Sequence, residues 1–155
     1  MGKRCLALGA VAVLAVSLAS AGMARSAATL PGIVSPTGNI KCLFVPGSNG
    51  NASRLLCSIG RASYAKKLQS KCMGADGSGV DWHGFTLTAT GKGNISCSGG
   101  ILYNPTTQHP RYVKLPYGKT WKQGVFSCTS RITGITCSNR SGHGLSIARL
   151  AWRAW

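Results

Sequence analysis

The acidic and histidine residues are the side chains of this chain best suited to acid–base chemistry, and they are few. The sequence of 155 residues contains 2 Asp+Glu and 3 His. Asp81 and His83 flank Trp82, so an extended segment places the carboxylate and the imidazole on one face. An aspartate that orients a histidine is half of a hydrolase triad, and a small secreted hydrolase is therefore one hypothesis. The sequence has no G-x-S-x-G motif, and Asp76 is the only other acid, so we assign no catalytic residue.

A second histidine lies in the segment Gly142-His143-Gly144. Flanking glycines allow a ligand to approach the backbone closely, and an imidazole can act as a base or a metal ligand. The alternative is a turn in which the histidine hydrogen-bonds a neighbouring strand and Asn139 caps the turn. We favour the turn and keep His143 as a candidate binding residue.

Positive charge dominates the rest of the chain. There are 18 Lys+Arg, the formal net charge is +16, and hydrophobic residues make up 44%, which excludes a disordered basic tail. Basic and aromatic residues alternate in one region, where charge and stacking would hold an anionic or sugar ligand. These candidate binding residues are Arg111, Tyr112, Lys114, Tyr117, Lys119, Trp121 and Lys122. A solvated positive face is the plain alternative.

Residues 1–27 have the pattern of a secretory signal peptide. Lys3 and Arg4 precede an apolar run, and small residues with the A-x-A form follow at Ala19-Ser20-Ala21. The apolar run is shorter than the ~20 residues that a membrane-spanning helix needs. Cleavage near Ala27 would lower the formal net charge of +16 to about +13 and leave one domain over residues 28–155. The expected location is secreted, periplasmic or at the cell surface.

Export would also leave an even number of cysteines, because Cys5 departs with the leader. The six that remain are predicted to form three disulfides in an oxidising compartment. No C-x-x-C pair is present to form a zinc site, so we predict no metal and no cofactor. The six cysteines are Cys42, Cys57, Cys72, Cys97, Cys128 and Cys137.

Turn residues indicate how the cysteines pair. Asn49-Gly50 is a strong hairpin signal, and a turn centred there places Cys42 opposite Cys57. A turn centred on Ile132 and Thr133 likewise places Cys128 opposite Cys137, at a separation close to disulfide geometry. By elimination, Cys72 would pair with Cys97.

The elements that must position these residues are mostly short strands. Alternating apolar residues and frequent Gly and Pro predict an all-β, mainly antiparallel fold of short hairpins. Only residues 62–71 have a helical pattern, so at most one short helix is expected. Predicted strands outside the two disulfide hairpins cover residues 85–90, 94–98, 111–115 and 145–148.

Several sequence segments, which occur in a fixed order, give the chain a resemblance to a known family. Ser35-Pro36-Thr37-Gly38-Asn39-Ile40-Lys41-Cys42 comes first, and the most specific block includes Leu115-Pro116-Tyr117-Gly118-Lys119-Thr120-Trp121 and Gly134-Ile135-Thr136-Cys137-Ser138-Asn139. Over residues 35–149 the chain resembles a family of small secreted bacterial proteins catalogued only as a domain of unknown function. The resemblance implies export and disulfides, and no activity.

Charge and composition together favour a non-enzymatic binding module over an enzyme. The partners we expect are an anionic polysaccharide, the cell envelope or a membrane surface, and nucleic acid stays open. An inhibitor-like or structural extracellular module is the third hypothesis.

Overall fold

Eleven short strands and one helix form the part of the chain that the computed structural model describes, residues 28–48, 50–73, 78–99 and 103–155. One sheet has the strand order β5 (Gly93–Ser98), β4 (Asp81–Thr88), β3 (Arg54–Ile59), β2 (Ile40–Val45), β1 (Ala28–Val34) and β6 (Gln108–Lys114). The other has the order β11 (Trp152–Ala154), β10 (Gly144–Ile147), β9 (Gly134–Ser138), β8 (Phe126–Arg131) and β7 (Thr120–Gln123). The helix α1 covers Ala65–Cys72. The predicted leader, with Cys5, lies outside the described residues, as do Asn49 and Asp76.

Antiparallel hairpins build both sheets, as the sequence predicts. The exception is β6, which lies parallel to β1, with Ile33 opposite Val113. Parallel neighbours need a long crossover connection, and here the chain passes through β2 to β5 before it returns to the edge of the first sheet. This connection brings the start and the middle of the described chain together.

The two sheets pack face to face around one apolar core. Leu55 and Leu87 of the first sheet and Leu145 of the second have no exposed surface, and all three belong to the same buried cluster. Aromatic rings cross the interface, since the ring of Phe44 lies 6.1 Å from that of Phe126. Alternation along the strands produces this arrangement, because every second side chain of a strand points to the same face.

The three predicted disulfides are present. Cys42–Cys57 joins β2 to β3, Cys128–Cys137 joins β8 to β9, and Cys72–Cys97 ties the end of α1 to β5. The two hairpin disulfides link residues that lie directly opposite in the strand registers. A set of three disulfides is typical of proteins from an oxidising, extracellular-type environment.

The helix packs against β4, the strand next to the edge strand β5 of the first sheet. Leu68 is buried, and the Gln69 side chain accepts a hydrogen bond from the backbone N–H of Trp82 at 2.9 Å. Just before the helix, Tyr64 lies against the Trp82 and Phe85 rings. Within the described ranges, no helix is long and apolar enough to cross a membrane.

Candidate functional site

Several chain turns meet at one end of the two-sheet structure and enclose a cleft of about 1030 Å³. Three arginines line this cleft, Arg61 after β3, Arg131 at the end of β8 and Arg149 between β10 and β11. Tyr117 completes the wall, with 44% of its surface exposed. We call this site the arginine cleft.

Hydrogen bonds between distant parts of the chain fix the position of Arg61. The Asn39 side chain accepts from the N–H of Arg61 at 2.8 Å and donates to the carbonyl of Arg61 at 3.1 Å. Asn39 itself ends the β1–β2 turn, in which Gly38 has a positive φ of 76°. A left-handed conformation of this kind favours glycine. The β1–β2 turn therefore holds the backbone of Arg61 in the cleft wall.

The hairpin that carries Arg149 is fastened to the segment after Arg61. The N–H of Ser63 donates to the carbonyl of Arg149 at 2.9 Å, and its hydroxyl donates to the carbonyl of Leu150 at 3.2 Å. The phenol of Tyr64 donates to the carbonyl of Ala148 at 2.9 Å. Burial raises the pKa of Tyr64 to about 12, so the phenol stays protonated and keeps donating even above pH ~10, where an exposed phenol ionises.

A close approach of backbones places Arg131 beside the Arg149 hairpin. Gly134, at the start of β9, has a φ of 141°. A Cβ at this position would clash with the Ile147 carbonyl oxygen and lie 3.0 Å from its carbon. Only glycine allows this contact between the β8–β9 hairpin and β10.

The cleft has no counterion among the described residues. Asp81 is the only acidic side chain described, and it accepts a hydrogen bond from Gln69 at 3.2 Å, away from the cleft. The side chains of Arg61, Arg131 and Arg149 are exposed and form no ion pair with the described part of the chain. Guanidinium groups offer a fork of donors that matches carboxylate, sulfate and phosphate oxygens. Chemically, the arrangement is suited to bind an anion.

The candidate binding residues from the sequence do not form one group. Tyr117 lies in the cleft, whereas Arg111, Tyr112 and Lys114 lie along β6 at the edge of the first sheet. Lys119 precedes β7 in the turn that carries Tyr117, and Lys122 lies on β7 at the edge of the second sheet. Trp121 is half-buried and packs against the core.

Tyr112 lies on the outer surface of the first sheet. Its ring covers Gly32 on β1, where an added Cβ would approach the ring to 2.8 Å. The Lys41 ammonium lies 5.6 Å from the centre of the same ring. Burial, followed by the nearby Tyr103, raises the pKa of Tyr112. The ring of Tyr112 thus makes its packing contact and its cation–π contact with residues of the chain itself.

The segment around His143 is a turn at the opposite end from the cleft, and Asn139 organises it. The Asn139 amide donates to the carbonyls of Thr88 and Gly91, both at 2.9 Å. Its side-chain oxygen accepts from the N–H groups of Ser141 and His143 at 3.0 and 3.1 Å. Asn139 thus caps the turn and ties the second sheet to the β4–β5 turn, while His143 takes part through its backbone.

Asp81 and His83 are both exposed on β4, but each bonds to a different partner. Asp81 accepts from Gln69, whereas the Nε2–H of His83 donates to the carbonyl of Ser98 at 2.9 Å. The strand register also shifts between Trp82 and Gly84, which interrupts the regular alternation. In this structure the two side chains are not joined as a catalytic pair.

The arginines of the cleft were not among the residues selected from the sequence. They are far apart in the chain, and no local motif joins all three. One signal was available: Arg131-Ile132 and Arg149-Leu150 each place an arginine before a large aliphatic residue at a hairpin turn.

Fold and site together define a disulfide-cross-linked two-sheet β domain with a cationic cleft at one end. Comparison with family models identifies the family: the chain belongs to the family of unknown function DUF6636, whose model matches residues 12–153. This confirms the resemblance to a family of unknown function and extends it beyond residues 35–149. No curated protein and no solved structure gave a match to the chain.

Proposed function

We propose that this protein is a non-enzymatic exported module that binds an anionic envelope or extracellular partner through the arginine cleft. The observation that carries the proposal is the convergence of Arg61, Arg131 and Arg149 on one cleft with no described carboxylate beside them. Three like charges on one surface repel one another, and an anion bound between them relieves that repulsion.

The construction of the cleft supports a binding role. Its arginines stand on turns that are fixed by hydrogen bonds to distant segments, such as Ser63 to Arg149 and Asn39 to Arg61. A site whose backbone is ordered in advance loses less conformational entropy when it binds. The formal net charge falls from +16 to about +13 when residues 1–27 are removed, and this remaining positive charge would also accelerate encounters with an anionic partner.

Export belongs to the same proposal. The apolar pattern of residues 1–27 and the three disulfides both support an oxidising destination outside the cytoplasm. In such a place the anionic groups that a protein meets include polysaccharide carboxylates and sulfates, envelope phosphates and extracellular nucleic acid. Guanidinium groups bind all of these oxygens with similar geometry.

Heparin, a soluble sulfated polyanion, provides a direct test. We expect the oxidised domain of residues 28–155 to bind heparin and to lose affinity as salt is added. The triple variant R61Q/R131Q/R149Q should lower the slope of log K against log salt by about 2, at roughly 0.7 per cation for a flexible polyanion.

A matched control separates the cleft from general basicity. The variant R111Q/K114Q/K122Q removes the same number of positive charges from β6 and β7 and leaves the cleft lining intact. We expect it to bind more tightly than the cleft variant. Equal losses in the two variants would show that heparin responds to net charge alone, and an unchanged affinity in the cleft variant would refute the proposal.

A further inference from the structure

Two large aliphatic side chains stand almost fully in solvent beside the arginine cleft. Ile132 is 86% exposed and Leu150 is 79% exposed, the two highest values among the large hydrophobic residues described. Each lies at a hairpin turn and directly follows an arginine of the cleft, Arg131 or Arg149. Single exposed aliphatic residues are common on protein surfaces, but two of them at the rim of one cationic site indicate a shared role.

The fold directs both turns to the same end of the molecule. Ile132 lies in the β8–β9 turn and Leu150 lies in the β10–β11 turn, and β9 pairs with β10 between them. Both residues line the cleft together with the three arginines. The aliphatic side chains and the guanidinium groups therefore face the same surroundings.

Both turns are fixed in position. The N–H of Ala148 donates to the carbonyl of Ala151 at 2.9 Å and closes the turn around Leu150, whose own carbonyl accepts from the Ser63 hydroxyl. On the other hairpin, Arg131 pairs with Gly134 across the two residues of the turn. The exposure of Ile132 and Leu150 thus follows from the positions that the two residues occupy in these hairpin turns.

We infer that this end of the protein docks on an anionic lipid bilayer, with Ile132 and Leu150 inserted among the acyl chains and Arg61, Arg131 and Arg149 on the lipid phosphates. This inference rests on the proposed function and names its partner. Peripheral proteins bind membranes through the combination of buried apolar area and attraction to anionic headgroups. A soluble polyanion would satisfy the arginines, but it would give the two aliphatic side chains no apolar surroundings.

The bilayer also accounts for the arrangement of the two residue types. A guanidinium group and an aliphatic side chain on neighbouring positions of a turn reach the headgroup layer and the acyl layer together. Lipid phosphates lie next to the hydrocarbon boundary, so both contacts can form in one orientation of the protein. The remaining basic side chains, such as those on β6, would then add only long-range attraction.

The test is co-sedimentation of the oxidised domain with vesicles of phosphatidylcholine and phosphatidylglycerol, compared with vesicles of phosphatidylcholine alone. We expect binding to the anionic vesicles and much weaker binding to the neutral ones. The double variant I132S/L150S should weaken binding to anionic vesicles about a hundredfold, roughly tenfold for each side chain withdrawn from the acyl layer. Its heparin affinity should stay within twofold of the unaltered domain.

The control variant is V113S, which removes an aliphatic side chain that is 49% exposed on β6 and does not line the cleft. It should bind anionic vesicles as the unaltered domain does, and circular dichroism should confirm that both variants are folded. If I132S/L150S retains vesicle affinity, or if V113S loses as much, the inference is overturned.

The two proposals fail in distinguishable ways. If the domain binds heparin through the cleft but does not bind anionic vesicles, the bilayer inference is overturned and the anion-binding function remains in place. A domain that binds neither would overturn both. Equal binding to neutral and anionic vesicles would contradict the role given to the arginines.

Discussion

Replacing Asn139 with alanine should destabilise the folded protein more than replacing His143 with alanine. Asn139 is 6% exposed, and its amide forms hydrogen bonds with two carbonyls and two backbone N–H groups. A hydrogen bond between neutral groups contributes about 1 kcal/mol of net stability, so losing all four should cost about 4 kcal/mol. Typical domains have about 5–15 kcal/mol in total, and N139A should therefore lose a large share of it.

Urea denaturation of the oxidised domain measures this cost. The free energies of unfolding of N139A and H143A would be compared with that of the unaltered domain, at similar denaturant slopes. H143A should lose less than about 1 kcal/mol, because the backbone of His143, and not its ring, forms the described bonds of the turn. A cost below about 1 kcal/mol for N139A, or equal costs for the two variants, would refute the assignment of the turn to Asn139.

Two further predictions concern single side chains near the cleft. Ser130 is fully buried on β8, and its hydroxyl has no hydrogen-bond partner among the described residues, so S130A should stabilise the domain by about 1 kcal/mol in the same urea assay. A loss of stability in S130A would contradict this. Tyr64 should make stability fall as pH rises from about 10, because the unfolded phenol ionises first and the folded pKa is about 12. The free energy of unfolding of Y64F should lack this pH-dependent loss. If the difference in free energy of unfolding between Y64F and the unaltered domain stays constant above pH 10, that result would count against the burial of Tyr64.

Local signals in the sequence were enough to predict both disulfide hairpins. The glycines at the turns and the spacing of the cysteines gave the register in which Cys42 faces Cys57 and Cys128 faces Cys137, and the structure has these registers. Hairpins join neighbouring segments, so the information needed to pair them lies within a few residues. The helix overlaps the predicted range of residues 62–71, although it begins at Ala65 and ends at Cys72.

Three strands were not predicted, and each lacks a local pattern. In β1 the residues Pro31 and Gly32 interrupt the run, and Pro and Gly normally argue against a central strand. Its parallel partner β6 is distant in the sequence, so no turn signal joins them. The strands β7 and β11 are only four and three residues long, and their positions depend on the hairpins beside them.

The residues of the candidate site likewise could not be predicted from local sequence patterns. The sequence grouped the basic and aromatic residues from Arg111 to Lys122 because they are neighbours in the chain, but β6 and β7 belong to different sheets. Trp121 pairs with Cys128 and so faces the core. Arg61 and Arg149 line the same cleft because Ser63 and Tyr64, which follow Arg61, bond to the hairpin that carries Arg149. Contacts between distant segments are set by packing, which no short motif encodes.

The central claim is that an anionic ligand binds at the arginine cleft, and mapping backbone amide shifts by NMR during a titration with a short heparin oligosaccharide tests it most directly. The account predicts that the largest shifts fall at Arg61, Ile132 and Arg149 and that they saturate together. Shifts concentrated on Arg111 to Lys114, with the cleft amides unmoved, would contradict it.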